Sequence, residues 1–290
     1  MPARRALALG LIVIGLVAGC AGSGGSPSPT VTPTSAITHP SEPTTVILRM
    51  ATGGGFVAPG VHLGEIPEFT LYGDGTLIVR DPARMYLEPV SPDGIARLVP
   101  FLTARLPEAA IQALLADAIG PGGLGLARLD YPPLTIADAP STTFILRAGG
   151  FDKQVVVGAL GFEQAGSVGD RQPRQAFQAL ARRLLAPGLG GVSSTEYSPT
   201  AYRGILFDAI DTGTSVPIRA WPWTTFGPDG FTVSTTPGAM QVPVRTLTSA
   251  DVAVLGLDGL AGGASSIGLR ASDGKVYLLA LRPLLPDERS

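Results

Sequence analysis

The sequence predicts an α+β fold, in which an antiparallel sheet built from hairpins carries two or three helices. Two observations lead to this prediction. Three pairs of short, β-branched segments are each separated by a turn that contains glycine, which is typical of antiparallel hairpins. Two longer segments repeat their apolar residues at intervals of three and four, which is typical of helices that bury one face.

The first nineteen residues predict a secretory signal. Arg4 and Arg5 are followed by fourteen uncharged residues, from Ala6 to Gly19, and Cys20 comes next. A basic start followed by a short apolar run is the layout of a signal peptide. A membrane-spanning helix needs about 20 apolar residues, so this run is too short to be one. Residues 1–19 are therefore expected to be removed.

The four residues Val17-Ala18-Gly19-Cys20 resemble the lipobox of bacterial lipoproteins. In that family the cysteine sulfur receives a diacylglycerol and the cysteine becomes the first residue of the mature protein. The resemblance implies that Cys20 anchors the chain to the extracytoplasmic face of the cell membrane, since two fatty chains give the stable binding that one chain does not. The alternative is an ordinary secretory peptide with an incidental cysteine.

The composition after Cys20 predicts a tether. In residues 21–45, 19 of the 25 are Gly, Ser, Pro or Thr. Such a segment cannot bury enough apolar surface to offset its ordering entropy, so we expect residues 20–45 to be disordered. The removal of Arg4 and Arg5 from the 21 basic residues leaves 19 against 23 acidic residues, a net charge of −4. A chain with this balance is not expected to bind nucleic acid.

Residues 46–188 are predicted to form a first α+β unit. The predicted strand at 45–50 is followed by hairpins that pair 69–72 with 76–79 and 142–147 with 154–159. Helices are predicted at 107–119 and 173–186 because their apolar residues fall on one stripe. In the second helix Arg174 is predicted to lie off the buried stripe.

Residues 199–290 are predicted to form a second unit after a Gly/Ser-rich linker at 188–198. It contains a strand at 202–208 and a hairpin that pairs 265–270 with 276–282. Its helix is predicted to begin at Thr248, which forms a capping box with Asp251, and to end at Gly262-Gly263. A helix followed by a hairpin occurs in both units, so we expect two related units or one sheet built twice.

The whole body, from "FTLYGDGTLIV" to "RPLLPDE", resembles secreted lipoproteins of high-GC bacteria that have no assigned activity. This resemblance implies a location in the cell envelope. It implies no reaction and no site residues.

Two pairs of carboxylates are candidates for acid and base chemistry. Glu65 and Glu68 flank Ile66-Pro67 ahead of a predicted strand, and Asp208 and Asp211 close another. A pair that faces a cleft could serve as the acid and base of a glycosidase. The alternative is that these acids are solvated residues of turns and caps.

Trp221-Pro222-Trp223 holds both tryptophans of the chain. If Trp221 and Trp223 are exposed, they could stack on sugar rings or bind a partner, since aromatic residues are enriched at such sites. The alternative is that both indoles pack in the core.

Other chemistry has little support in the sequence. Histidine occurs only at His39, in the predicted tether, and at His62. A serine hydrolase is disfavoured because no G-x-S-x-G elbow is present. A metal site made of His and Cys ligands is excluded because the chain has only one cysteine and two histidines. The glycines of 52–56 lack the helix N-terminus and the spacing of a phosphate-binding loop. No cofactor is therefore predicted.

The sequence thus predicts a lipid-anchored envelope protein. We expect a non-enzymatic body that binds another envelope protein or a glycan, or serves as a scaffold. The alternative is an envelope glycan hydrolase that uses paired carboxylates. A deep polar cleft with paired acids would favour the hydrolase, and a flat or aromatic surface would favour the binding module.

Overall fold

The computed structural model describes residues 36–55, 65–81, 83–84, 91–162, 165–186, 191–209, 216–233 and 242–288. Cys20 and residues 21–35 lie outside this part of the chain, and so do His62 and Asp211. In the described part, no helix combines the length and the apolar character that crossing a bilayer requires.

The first sheet is built from residues 46–196 and is antiparallel except at one edge. Its strands are β1 (Val46–Gly53), β2 (Phe69–Tyr72), β3 (Thr76–Arg80), β4 (Phe101–Arg105), β5 (Asp130–Tyr131), β6 (Ser141–Ala148), β7 (Phe151–Gly158) and β8 (Thr195–Glu196). They lie in the order β5-β7-β6-β1-β2-β3-β4-β8, and only β5 pairs in parallel, with β7. The same residues include the helices α1 (Glu108–Ile119) and α2 (Arg171–Leu184).

The second sheet is built from residues 201–283. Its strands are β9 (Ala201–Asp208), β10 (Ile218–Ala220), β11 (Thr232–Val233), β12 (Pro243–Thr248), β13 (Ala264–Arg270) and β14 (Val276–Pro283). They lie in the order β10-β13-β14-β9-β12-β11, and only β10 and β13 pair in parallel. One short helix, α3 (Ser249–Ala253), follows β12.

The three predicted hairpins are confirmed as β2–β3, β6–β7 and β13–β14. The turn of the second is shorter than predicted, because only Gly149 and Gly150 connect its strands. Both glycines have positive φ, at 62° and 80°. A two-residue turn with positive φ at both positions matches the twist of the strands that it joins, and glycine adopts it without strain.

Both long helices are confirmed, and they cover one face of the first sheet. They bury Ile111, Leu114, Leu115 and Ala118 of α1 and Phe177, Leu180 and Leu184 of α2. These side chains pack with sheet residues such as Phe69, Leu71, Phe144 and Val157 in one core. Each stripe becomes buried because the strands present an apolar face to it.

The prediction for Arg174 is wrong. Its side chain is buried, and it donates hydrogen bonds to the carbonyl oxygens of Tyr131, at 3.3 Å, and of Gly158. These two carbonyls lie at the ends of the parallel strands β5 and β7. A guanidinium that donates to backbone carbonyls can be buried on a helix, because its hydrogen bonds replace those to water.

The third helix begins as predicted and ends much earlier. The Thr248 hydroxyl accepts a hydrogen bond from the Asp251 amide at 3.1 Å, and Asp251 Oδ2 accepts from the Thr248 amide at 2.8 Å. The helix then stops at Ala253, and Gly256 has a φ of +63°. A capping box therefore fixes the start, while the glycines beyond it end the helix after five residues.

Residues 36–45 were predicted to be part of a disordered tether, and the structure corrects this. The Ile37 amide donates to Gln112 Oε1 at 2.7 Å, and Gln112 Nε2 donates to the Ile37 carbonyl at 2.9 Å. The Gly149 amide donates to the Thr38 carbonyl at 2.8 Å, and the Ile37 side chain packs on the core of the first sheet. Backbone hydrogen bonds and one apolar side chain thus order a segment of otherwise tether-like composition.

The mixed composition of helices and mostly antiparallel strands agrees with the predicted fold class. The three helices and the two sheets of the described residues also fit it roughly, although strands dominate. In both parts of the chain a helix precedes a hairpin. In the first sheet the leading strand of that hairpin, β6, pairs with β1. In the second sheet the trailing strand, β14, pairs with β9. The element order is therefore shared, whereas the pairing is not.

A turn near the C-terminus, Pro286–Glu288, joins the two sheets. Asp287 Oδ1 accepts hydrogen bonds from Arg49 Nη2 and from the Tyr72 hydroxyl of the first sheet, both at 2.7 Å. Glu288 accepts two from the Arg282 guanidinium of the second sheet, at 3.0 and 2.7 Å. Because adjacent residues hold different sheets, this turn fixes one sheet against the other.

Candidate functional site: a cavity between the sheets

A cavity of about 1060 Å³ lies between the two sheets. The first sheet contributes residues at the ends of β1 and β6, and α2 contributes its C-terminal half. The second sheet contributes the face of β9 and β14 that points away from its own helix. The apolar part of the lining consists mainly of Met50, Ile66, Val99, Phe101, Leu160, Ala181, Leu185, Ile205, Phe207 and Ala280.

The position of the cavity follows from the pattern of β9. In this strand Tyr202 and Leu206 point into the core that packs around Trp223. Ile205 and Phe207 alternate with them and therefore point to the opposite face of the sheet, which lines the cavity. A strand with large apolar residues on both faces is typical of a sheet that is covered on both sides. The sequence predictions did not include this wall of the cavity. The alternation of large apolar residues on both faces of β9 is a sequence signal that could have indicated it.

Glu65 and Glu68 both line the cavity. Strand β2 begins at Phe69, opposite Met50, whereas β1 continues to Gly53. The amides of Thr52 and Gly54 therefore lie beyond the end of β2. Glu68 Oε2 accepts a hydrogen bond from the Thr52 amide at 2.8 Å, and Glu65 Oε1 accepts one from the Gly54 amide at 3.1 Å.

The two carboxylates thus take the places of backbone carbonyls at the end of β2. Alternate amides of a strand lie on the same side and about 6.8 Å apart, so the bound carboxylate oxygens are held at a similar spacing. A side chain at Gly53, between the two amides, would overlap the Glu65 carboxylate. Glycine at this position therefore makes room for the Glu65 carboxylate.

Burial raises the pKa of Glu68, and the nearby Glu65 carboxylate adds to the effect. The amide hydrogen bonds and the positive charge of Arg80 act in the opposite direction without cancelling it. A carboxyl with a raised pKa can hold its proton in a mostly apolar cavity, where the charged form is poorly solvated. Such a group can donate a hydrogen bond to a ligand or act as a general acid.

Arg282 holds this acidic segment against the second sheet. Its side chain is 5% exposed, and its Nε donates to the Glu65 carbonyl at 2.7 Å while its two terminal nitrogens bind Glu288. All three guanidinium nitrogens of Arg282 therefore donate hydrogen bonds. The position of Glu65 in the cavity depends on a residue of β14, more than two hundred positions away.

Two further arginines line the cavity. The Arg80 guanidinium lies over the Phe101 ring, 5.0 Å from its centroid. Arg182 is exposed on α2, where the lining reaches the surface. The apolar walls therefore meet polar and charged groups at the rim, an arrangement suited to a molecule with an apolar body and a polar end.

Trp221 and Trp223, the candidate binding pair, pack against the second sheet and do not line the cavity. Trp223 is 6% exposed, and its indole nitrogen donates to the Asp251 carbonyl at 2.9 Å. Trp221 is half-buried and donates to the Phe226 carbonyl at 2.9 Å. The two rings meet edge to face with centroids 5.3 Å apart, and Phe226 stacks on Trp223.

Both indoles thus belong to the core of the second sheet, and their N–H groups are bound to backbone carbonyls. They also border a surface groove of about 910 Å³, together with Arg219, Thr224 and Arg270. The structure contains no exposed platform of two parallel rings in this described segment. A ligand in the groove would meet the partly exposed Trp221.

The other predicted site residues are not brought together. Asp208 is exposed at the end of β9, and its predicted partner Asp211 lies outside the described residues. His39 lies in the predicted tether, where no fixed position was expected for its side chain. That side chain is 9% exposed, and its Nε2 lies 3.2 Å from Glu108 Oε1. Among the described residues no cluster of three or more His, Cys, Asp or Glu side chains could hold a metal ion.

Comparison of this chain with known protein families, with curated proteins and with solved structures finds no match.

Proposed function

We propose that the protein is anchored through Cys20 to the extracytoplasmic face of the cell membrane and binds an amphiphilic molecule between its two sheets. The observation that carries the proposal is the cavity itself. Its volume of about 1060 Å³ is slightly above the usual range of small-molecule sites, which is about 300–1000 Å³. Its walls are mainly apolar side chains.

The chemistry of the lining favours an amphiphile over a sugar. The aliphatic and aromatic residues of the walls gain free energy when they contact apolar surface, at about 25 cal/mol per Å² removed from water. A glycan presents many hydroxyl groups, and each needs a hydrogen-bond partner when it is buried. Polar groups lie at Glu68 and near the exposed Arg182, so one polar end of a ligand can be satisfied there.

A second candidate, a glycan hydrolase, is favoured by one observation. Glu65 and Glu68 share the cavity, and the raised pKa of Glu68 suits a general acid. Against it, each carboxylate already binds a backbone amide that has no other strand partner. These bonds explain the acid pair as part of the fold. The hydrolase would be supported if the purified chain released soluble fragments from cell-wall glycan and the Glu68→Gln variant did not.

The anchor can be tested separately by mass spectrometry of the chain purified from membranes. We expect an N-terminal peptide that begins at Cys20 and carries the mass of a diacylglycerol. A peptide that retains Met1, or one that begins at Cys20 without added mass, would refute lipid anchoring.

Ligand binding can be tested by photolabelling. The full chain is placed in phosphatidylcholine nanodiscs that contain a trace of phosphatidylcholine with a diazirine on one acyl chain, and it is irradiated and digested. We expect label on the peptide that contains Ile205 and Phe207, because those side chains line the cavity. The absence of label from this peptide would overturn the proposal.

The control uses two alanines of the same helix. Ala181 lines the cavity, whereas Ala179 is exposed on α2. Ala181→Trp fills part of the cavity and should reduce the labelling of β9 at least threefold, while Ala179→Trp should leave it unchanged. Ala280→Trp blocks the cavity from the opposite wall, and circular dichroism of each variant verifies that it is folded.

The organisation of the chain into a unit at 46–188 and a unit at 199–290 is part of this proposal. The support is that residues 46–196 and 201–283 form separate sheets, with the cavity between them. A relation between the two units is supported by their shared order of helix and hairpin.

A further inference from the structure

An unusually apolar surface lies along the β5 edge of the first sheet. Five large apolar side chains are exposed there: Leu126 is 99% exposed, Leu129 61%, Leu134 62%, Phe162 55% and Val168 76%. We call these five residues the apolar edge. Scattered exposed apolar residues are common, but a group on one side of a protein indicates an interaction surface.

Hydrogen bonds place the five residues along β7 and its neighbouring segments. The Val156 amide donates to the Leu129 carbonyl at 2.9 Å, and the Leu134 amide donates to the Ala165 carbonyl. The Phe162 amide donates to the Ala159 carbonyl at 3.2 Å, just beyond the end of β7. The apolar edge therefore follows the length of the outermost long strand.

An ion pair connects two of the segments that carry the apolar edge. Arg128, between Leu126 and Leu129, forms a 2.7 Å contact with Asp170, two residues after Val168. The Arg128 guanidinium also lies over the Tyr131 ring, 4.4 Å from its centroid. The loop after α1 and the turn before α2 are thus joined, and they present their leucines and valine on adjacent segments.

One end of the apolar edge lies beside the point where the chain enters the body. The side chains of Ile37 and Ile119 both lie against Gly149, at the turn between β6 and β7. The Gly125 amide, next to Leu126, donates to the Ile119 carbonyl at 3.0 Å. Leu126 is therefore close to the first residues of the body, which continue through residues 21–35 to Cys20.

The predicted tether is short compared with the body. As a coil, the fifteen residues from 21 to 35 would have a root-mean-square reach of about 20 Å. A body of the size of Ala36–Ser290 has a radius of gyration of roughly 18 Å, so its diameter exceeds that reach at least twofold. With Cys20 in the membrane, a coil of this mean reach keeps the side of the body around Ile37 nearer to the bilayer than the opposite side.

The other end of the apolar edge reaches the cavity. Leu160 and Gly161 line the cavity, and the exposed Phe162 follows them directly. A ligand with fatty chains could pass from the bilayer along this edge without exposing those chains to water. This step rests on the proposed function, whereas the contact of the edge with the bilayer rests on exposure and chain connectivity.

We propose that the apolar edge lies on the bilayer that holds the anchor and that the cavity is filled from this side. Both signs of charge occur beside Leu129 of the apolar edge, at Arg128 and Asp130, so the attraction is apolar rather than ionic. The contact should therefore form on neutral phosphatidylcholine and persist at high salt, because ionic screening weakens only charged attraction.

The experiment uses the environment-sensitive fluorophore NBD on single introduced cysteines. Because Cys20 is the sole cysteine of the chain and its sulfur is acylated in the proposed state, each new thiol is labelled alone. Leu126→Cys and Phe162→Cys report on the two ends of the edge. Val254→Cys is the matched control, because Val254 is 55% exposed on the second unit, just after α3. The labelled full chains are bound to vesicles of phosphatidylcholine with nitroxide-labelled acyl chains.

We expect the nitroxide to quench the probes at Leu126 and Phe162 at least twofold more than the probe at Val254, at both 0.05 and 0.5 M salt. Equal quenching at all three positions, on protein that floats with the vesicles, would overturn the edge proposal and leave the anchor intact. Protein that does not float would refute the anchor and the edge proposal together. Quenching at the edge without photolabel on β9 would keep the bilayer contact and refute filling of the cavity.

Discussion

The Arg49 guanidinium and the Asp287 carboxylate form a 2.7 Å ion pair that connects the first strand of the fold to its last turn. The pair is largely shielded, with side-chain exposures of 12% and 21%. Burial opposes ionisation of Asp287, but hydrogen bonds from Arg49 and Tyr72 outweigh it and lower the pKa of this carboxyl. Burial and the bond to Asp287 raise the pKa of Tyr72, so its hydroxyl remains a donor.

Asp287→Asn should therefore destabilise the protein by about 1–3 kcal/mol, because Arg49 loses its charged partner in a shielded place. Urea unfolding at pH 7 measures this free energy. The control is Asp152→Asn, which breaks an exposed pair with Arg147 and should cost less than about 1 kcal/mol. Equal effects of the two substitutions would contradict the role of the C-terminal turn.

The loss should depend on pH. A carboxyl whose pKa is lower in the folded state contributes stability above the unfolded value of about 3.9 and loses it as the pH falls through the folded value. The difference between the wild-type chain and Asp287→Asn should thus be constant from pH 5 to 7 and shrink below pH 3.9.

Glu68→Gln should have the opposite pH profile. Because burial raises the pKa of Glu68, its contribution to stability is complete below the unfolded value of about 4.3 and is lost as the pH rises through the folded value. Glutamine removes the charge and can still accept from the Thr52 amide. The variant should match the stability of the wild-type chain below pH 4. At pH 8 it should be more stable, by about 1.4 kcal/mol for each pH unit by which folding raises the pKa of Glu68.

Thermal unfolding between pH 3.5 and 8 tests this profile. Glu196→Gln, at an exposed position on β8, is the control for the removal of one carboxylate. A Glu68→Gln variant that is less stable than the wild-type chain at pH 8 would show that the Glu68 charge is needed for the fold.

Ala280→Leu should stabilise the empty protein. Ala280 lines the cavity, so added methylene groups fill space rather than displace neighbours, and cavity filling commonly adds about 0.5–2 kcal/mol. The same substitution at Ala118, which is fully buried between α1 and the sheet, should cost about 1–3 kcal/mol. Urea unfolding of both variants compares the two sites. Destabilisation of similar size at both would mean that the wall at Ala280 is already closely packed.

The two tryptophans should differ in their access to acrylamide. Trp223 is buried and Trp221 is half-buried, and the chain has no others. Fluorescence of the Trp221→Phe variant reports on Trp223 alone and should be quenched weakly. The Trp223→Phe variant should be quenched several times more strongly. Strong quenching of both would favour the exposed pair, one of the two alternatives that the sequence leaves open.

Local signals predict much of this fold. Glycine-containing turns indicate the three hairpins, and the stripes of α1 and α2 indicate both long helices, because these features depend on residues close in sequence. The order of strands within each sheet depends on pairings such as β1 with β6, ninety residues apart, which no local pattern specifies. The repeated order of helix and hairpin indicates two units, but the different hairpin pairing in each sheet could not be derived from the sequence for the same reason.

The candidate site shows the same limit. Glu65 and Glu68 stand out as a pair in the sequence, but their environment depends on Arg282 and on the outer face of β9. The expected alternatives were a polar cleft with acids or a flat aromatic surface. The structure has a mostly apolar cavity that contains the acids, a combination that requires two sheets to meet. The ordered conformation of residues 36–45 was not predicted, because composition does not reveal the hydrogen bonds that this segment makes to α1 and to the turn after β6.

The C-terminal turn also imposes an order on biosynthesis. The last strand of the first sheet ends at Glu196, roughly ninety residues before Asp287. At about 5–20 residues per second, a ribosome needs about 5–20 seconds to make the interval. Until then neither Arg49 nor Tyr72 has the hydrogen-bond partner that Asp287 provides. Strand β14 ends at Pro283, so the two bonds to Asp287 form only after the strands of both sheets have been made.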